Sequence, residues 1–170
     1  RDLNLKYAVV TSVTRDDLDD GGAYLFCDTI KQIRSASPAC KIEILVPDFR
    51  GEIAPIKEVV DAQPYVFAHN IEVTEGLFDS LRPEGNFKRS LNVLRFAKKY
   101  NPDQKTKSGI MIGFGETGKQ ILNAMRDLRE SNVDIFTIGQ YLQPTRDHYP
   151  VRKYYTPGEF KELEEIGYEL

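Results

Sequence analysis

Tryptophan is absent, and cysteine is scarce: Cys27 and Cys40 are the only thiols in 170 residues. Two cysteines thirteen positions apart form neither a disulfide framework nor a C-x-x-C metal knuckle, and they fit a reducing compartment. No apolar run approaches the ~20 residues needed to span a bilayer, and no secretory apolar core is visible at the start. An excess of basic charge is also missing. The net charge is −3 and the pI is near 5.5, so no global field steers the chain to nucleic acid. Linkers rich in glycine, proline or serine, low-complexity tracts and internal repeats are lacking, which predicts one domain over residues 1–170. The 41% hydrophobic and 29% charged residues exclude a disordered tail, a collagen and a coiled coil.

What is present is alternation. Short β-branched runs occur at 7–12 (YAVVTS), 42–46 (IEILV), 65–69 (YVFAH), 108–112 (SGIMI) and 134–138 (DIFTI). Their near-continuous hydrophobicity predicts strands buried on both faces. Amphipathic segments lie between them. Ala23, Phe26, Cys27, Ile30 and Ile33 share one helical face before Pro38. Ile53, Ile56, Val59 and Val60 form a shorter one. Thr74 reads as the cap of a short turn carrying Leu77 and Phe78. Phe87, Leu91, Leu94 and Ala97 share a face, with Lys88, Arg89, Arg95, Lys98 and Lys99 on a solvated one. Thr117 with Gln120, and Thr156 with Glu159, read as capping boxes. Strand–helix alternation at about 32 residues per unit predicts right-handed βαβ units and a parallel α/β sheet, either an arc of a barrel or an open sheet. The start at Arg1, and a final helix without a closing glycine or asparagine, suggest a piece of a longer polypeptide. In that case the 7–12 strand would be an exposed edge and the isolated segment poorly soluble.

In parallel α/β folds ligands bind at the carboxyl ends of the strands. Here each such end carries polar residues: 11–22 (TSVTRDDLDDGG), 47–51 (PDFRG), 69–72 (HNIE), 113–117 (GFGET) and 139–145 (GQYLQPT). Hydroxyls, amides, carboxylates and glycines on one rim suit a small polar ligand with amine, carboxylate and ribose groups. Asp16, Asp17, Asp19 and Asp20 read as caps of the next helix rather than a cation site, because EF-hand spacing is absent. His69 reads as a hydrogen-bonding residue, with a general base as the alternative. His148 reads as inert, and Cys27 as core. Residues 113–118 (GFGETG) spell a dinucleotide fingerprint after a strand. They follow the fourth strand, however, and the acidic Asp134 begins its strand rather than ending it, so a Rossmann site is disfavoured.

Taken together, these clusters resemble the lipoyl synthase family of radical S-adenosylmethionine (SAM) enzymes. The resemblance rests on 11–13 (TSV), 15–18 (RDDL), 20–22 (DGG), 47–51 (PDFRG), His69-Asn70 with Glu72, 106–109 (TKSG), 115–117 (GET) and 138–145 (IGQYLQPT), in family order over the whole chain. It implies a partial TIM-type (β/α) barrel of the radical SAM kind, truncated at both ends. The implied reaction inserts two sulfur atoms, at C6 and C8, into an octanoyl group carried on a lipoyl carrier protein or lipoyl domain. One 4Fe–4S cluster would cleave SAM to a 5′-deoxyadenosyl radical, with electrons from a donor protein, and a second would be consumed as sulfur source. Carried over by position, Thr11 and Ser12 would face the methionyl amino group, and Asn70 and Glu72 the methionyl and ribose groups. The stretch from Gly109 through Gly113 to Glu116 would form the adenine side, and Gln140 and Tyr141 would close the pocket. Charge and the lack of a visible transit segment point to bacterial-type cytoplasm, mitochondrion and plastid staying open, and composition to no nucleic acid and no membrane as partner.

The departures are specific. The family's two cysteine triplets and its late serine ligand have no counterpart here, and thiolate ligands cannot be improvised. No metal ligand is therefore assigned, and this segment alone is expected to be inactive. Ala68 stands where the family commonly has Asn, and Val73 where Thr is usual. The competing readings are another radical SAM sulfur-inserting enzyme and a non-catalytic SAM- or nucleotide-binding module.

Overall fold

The computed structural model describes residues 4–170. Five strands, β1 (Tyr7–Thr11), β2 (Lys41–Leu45), β3 (Val66–Ala68), β4 (Thr106–Ile112) and β5 (Ile135–Gln140), form one sheet in sequential order. Every pairing is parallel, with Ile44 opposite Phe67 and Ile110 opposite Ile138. The helices are α1 (Ala23–Ala36), α2 (Ile53–Asp61), α3 (Phe78–Leu81), α4 (Phe87–Tyr100), α5 (Gly118–Glu130) and α6 (Pro157–Glu169). A doubly wound sheet reverses its strand order; this one does not. Uniformly right-handed crossovers then put the helices on one face, and the sheet is an arc of a (β/α) barrel.

The core lies on that helix-covered face. Ile42, Ile44, Val46 and Phe67 pack against Phe26 and Ile30 of α1, Ile56, Val59 and Val60 of α2, and Val93 and Ala97 of α4. A second cluster joins Ile110 and Ile112 to Leu91 and Leu94 of α4 and to Ile121, Met125 and Leu128 of α5. No helix of the described residues is long and apolar enough to cross a membrane.

Burial on both faces holds for β3 but not for β1 and β5, whose residues alternate between exposed and half-buried. The helices cover one face only, so Tyr7, Val9, Met111 and Ile135 remain exposed. The open face also holds an internal ion pair. Glu43, 5% exposed, accepts hydrogen bonds from Tyr7 Oη at 2.6 Å and Lys107 Nζ at 2.7 Å.

Both expected capping boxes form, at Thr117 with Gln120 and at Thr156 with Glu159. Asp20 caps α1 by accepting from the Gly22 and Tyr24 N–H groups. Thr74 does precede a 3-10 turn, Glu75–Leu77, but its hydroxyl caps nothing. The basic face of α4 is not simply solvated. Arg89 reaches Asp48, and Lys98 bonds both oxygens of Asp134, which also accepts the Thr106 N–H and so ties the start of β4 to α4.

Candidate functional site

A cleft of about 450 Å³ opens at the carboxyl ends of β1, β2 and β3. Thr11, Ser12, Asn70 and Glu72 line it, together with His69, Asp48, Arg50, Arg82 and Arg89. Thr11 Oγ1 donates to the Leu45 carbonyl at 3.2 Å, so the end of β1 is fixed to β2. The segment after β3 bends back along β4. Glu72 N donates to Gly109 O at 3.0 Å, and Met111 N donates to Glu72 O at 2.7 Å. Glu72 takes a φ of +66° in doing so, a conformation an L-glutamate adopts only when its surroundings force it. The Asn70 and Glu72 side chains make no hydrogen bond to other described residues and remain available in the cleft.

Gly109 explains how Asn70 fits. A Cβ there would stand 2.7 Å from Thr137 Oγ1 and 3.2 Å from Asn70 Oδ1, so glycine leaves the space these two side chains share. Opposite, Asp48 accepts the Arg50 N–H at 3.0 Å and the Arg89 Nε–H at 2.6 Å. Arg50 lies 3.9 Å from Asp16, and Arg15 pairs with Asp17 at 2.6 Å. The aspartates thus order their loop, and no group of three His, Cys, Asp or Glu among the described residues could hold a metal.

His69 is 3% exposed. Its Nδ1 lies 2.9 Å from the Val46 carbonyl, which can only accept, so Nδ1 carries the proton. Burial pushes its pKa down; Asp48 opposes this, and Arg82 and Arg89 reinforce it. The ring is therefore neutral, and Nε2 presents a lone pair that no described residue meets.

The remaining candidates sit on the same rim but outside this cleft. Glu116, 8% exposed, turns inward: its carboxylate accepts from Gly113 N at 2.8 Å, Phe114 N at 2.9 Å and Tyr155 Oη at 2.7 Å. The loop's own carboxylate therefore fills the nest that the first two N–H groups of 113–118 would offer an anion. Gln140 accepts from Tyr155 N and donates to Lys153 O, and Arg152 N donates to Gly113 O. Gly113, at φ +119°, faces the Gln140 amide where a side chain would be. Tyr141 is buried, stacks on Phe114 at 4.0 Å and donates to Tyr149 O. Residues 149–155 thereby form a strap over the ends of β4 and β5.

Asp48 and Arg50 of the 47–51 rim cluster do line the cleft, whereas sequence reasoning missed Arg82 and Arg89. Asp48 and Arg50 stand inside the PDFRG cluster, which was the available signal; an isolated arginine before Pro83 gave none. A larger hollow of about 900 Å³ lies in the seam between β5, α5 and α6, and no candidate residue lines it.

No protein-family model matches the chain. It is 51% identical over 168 residues to a lipoyl synthase of Rubrobacter xylanophilus, covering 99% of this chain and 52% of the relative. It is 52% identical over 172 residues to a lipoyl synthase of Stenotrophomonas maltophilia, covering 99% and 51%. The chain thus spans about half the length of the curated relatives it matches. Among solved structures, the FeFe-hydrogenase maturase HydG superposes with a TM-score of 0.73 at 14% identity, covering 95% of this chain and 38% of that one. Methylornithine synthase gives 0.68 at 16%, covering 96% and 47%. Coproporphyrinogen III oxidase from Escherichia coli, described as a radical SAM enzyme, gives 0.68 at 12%, covering 96% and 40%. At these identities the likeness is one of fold, an arc of a (β/α) barrel.

Proposed function

We propose, from a chain that belongs to the lipoyl synthase family, that it supplies the central barrel portion of such an enzyme and that the β1–β3 cleft holds SAM. The proposed activity of the whole enzyme is insertion of two sulfur atoms, at C6 and C8, into an octanoyl group on a lipoyl carrier protein or lipoyl domain, with an electron-donor protein as the other partner. The observation that carries the reading is the convergence of Thr11 and Ser12 from one strand end with Asn70 and Glu72 from another in one cleft.

The residues present fit SAM. Unpartnered polar atoms stand in the cleft wall, and the space at Gly109 is one a Cβ would fill. Thr11 and Ser12 are proposed to face the methionyl amine, and Asn70 and Glu72 the methionyl and ribose groups. Gly109 makes room for Asn70. Gly113, Glu116, Gln140 and Tyr141 act by shaping the loop and strap beside the adenosyl end. When bound, SAM supplies the carbon-centred radical chemistry of its superfamily; the protein positions it and excludes water.

The residues present do not fit an iron–sulfur cluster. Cys27 Sγ points to the Glu58 carbonyl, and burial pushes its pKa up to about 11. Cys40 is buried elsewhere, against the Lys41 carbonyl.

The test is calorimetric titration of the full chain with S-adenosylhomocysteine, a stable relative of SAM. Asn70→Ala combined with Glu72→Ala should weaken binding about tenfold or more, as expected for loss of polar contacts that include a charged group. Unchanged affinity would overturn the assignment.

A further inference from the structure

The amino ends of the strands, opposite the cleft, carry a charge cluster that the proposed reaction does not use. Lys41 begins β2, Tyr65 immediately precedes β3, and Lys105 immediately precedes β4. Lys41 Nζ donates to Tyr65 Oη at 3.2 Å, and Lys105 Nζ donates to the same oxygen at 3.4 Å. The two ammonium groups also lie 4.4 Å and 4.9 Å from the centroid of the Tyr65 ring. One phenol therefore gathers two like charges, and its ring and oxygen offset only part of their repulsion.

No carboxylate relieves that repulsion. Neither lysine has an acidic side chain within ion-pair distance among the described residues. Glu43, two positions along β2 from Lys41, is nearly buried and already accepts from Tyr7 and Lys107. The backbone beneath the cluster is fixed. Tyr65 N donates to Ile42 O at 2.7 Å, and Phe67 N donates to Lys105 O at 2.9 Å. The buried Gln104 amide donates to Pro64 O at 3.1 Å and to Lys105 O at 3.0 Å, which joins the starts of β3 and β4. The Tyr7 ring meets the Tyr65 ring edge-on, with centroids 6.1 Å apart. A rigid corner of the sheet thus presents all three side chains, and each is exposed.

The free donors set the class of ligand. An ammonium carries three N–H donors, and each lysine places one on Tyr65. The rest meet no acceptor among the described residues, and the Tyr65 hydroxyl proton meets none either. A carboxylate brings one negative charge and two oxygens. A phosphate monoester brings a charge of about −1.5 to −2 at neutral pH and three acceptor oxygens, which matches two ammonium groups and a phenol. The two lysines also pull the Tyr65 phenol below its ordinary pKa, the direction expected where positive charge is in excess.

We propose that Lys41, Tyr65 and Lys105 form a phosphate-binding site at the end of the barrel opposite the cleft, taking inorganic phosphate or the phosphate of a small monoester. The site is independent of the SAM assignment, and its test uses no SAM.

The experiment is an NMR titration of the full chain with inorganic phosphate at neutral pH and fixed ionic strength, followed at the Tyr65 ring and at the Lys41 and Lys105 amides. Saturable shifts confined to these residues should give a dissociation constant on the order of a few millimolar. Lys41→Met or Lys105→Met should weaken binding about fivefold, and the two together should remove the saturable response. Tyr65→Phe, which removes only a neutral donor, should cost about twofold. All three positions are exposed, so the variants keep the fold. Glycerol 3-phosphate separates the sources: tighter binding than inorganic phosphate assigns the site to a monoester, and equal binding assigns it to the free ion. Shifts that chloride reproduces, acetate binding as tight as phosphate, or saturation that survives in the double variant would overturn the site.

Discussion

Removing the Glu116 carboxylate tests whether its work is structural. Three donors converge on it: Gly113 N and Tyr155 Oη on one oxygen, and Phe114 N on the other. Hydrogen bonds to a charged group contribute about 1.5–3 kcal/mol each, and a buried donor left unpaired costs about as much. Glu116→Ala strands all three; with water entering the gap, a loss of about 4 kcal/mol follows, a large share of a typical domain's stability. Glu116→Gln keeps the oxygen shared by Gly113 and Tyr155 but sets an amide N–H against Phe114 N–H, costing about 1–3 kcal/mol. Urea unfolding followed by far-ultraviolet circular dichroism reads both values, since the chain has no tryptophan to report. The interaction also has a signature in pH. Burial and then the bond to Glu116 raise the Tyr155 phenol above its ordinary value of 10.0. The unfolded chain therefore loses this proton first, and the stabilisation, complete below pH 10, declines as pH rises beyond it. Glu116→Gln should flatten that decline. Losses within about 0.5 kcal/mol for both variants, with an unaltered alkaline limb, would refute the structural role.

Two further perturbations probe charges away from the rim. Lys107→Met leaves the nearly buried Glu43 with only Tyr7 as partner and should cost about 3 kcal/mol in urea unfolding, whereas adding Glu43→Leu should restore most of it; a double variant no more stable than the single one would contradict the pairing argument. Lys153, and then the Thr156 N–H and hydroxyl, hold the Glu159 carboxyl down to about 2, so its help to the start of α6 is present above pH 4.5 and disappears as pH falls through 2; an NMR titration with a midpoint near 4.5, or one that Lys153→Met does not raise, would count against it.

The fold was legible where a local rule has one outcome. Thr117-x-x-Gln120 and Thr156-x-x-Glu159 can close only one kind of cap, and both close. The five apolar runs fall on five strands, with ends displaced by a residue or two. Exposure of the strands was not legible. Tyr7, Ala8, Val9 and Val10 are apolar on both sides of the pleat, so periodicity cannot tell that Val9 faces the open side while Val10 packs on the core. The rim shows the same division between place and role. Its position follows from parallel topology, and Thr11, Ser12, Asn70 and Glu72 do meet in one cleft. The role of each side chain depends on what tertiary packing sets against it. The loop at 113–118 has the glycines of an anion-binding turn, yet the carboxylate three residues beyond its first glycine occupies those N–H groups. Arg82 shows the converse: its neighbours carry no motif, but the turn between α3 and α4 leaves its Nη1 buried without an acceptor among the described residues. A pattern of residue types therefore overstates a site where the protein satisfies its own donors. It understates one where packing leaves a donor unsatisfied, and only that second condition requires a ligand.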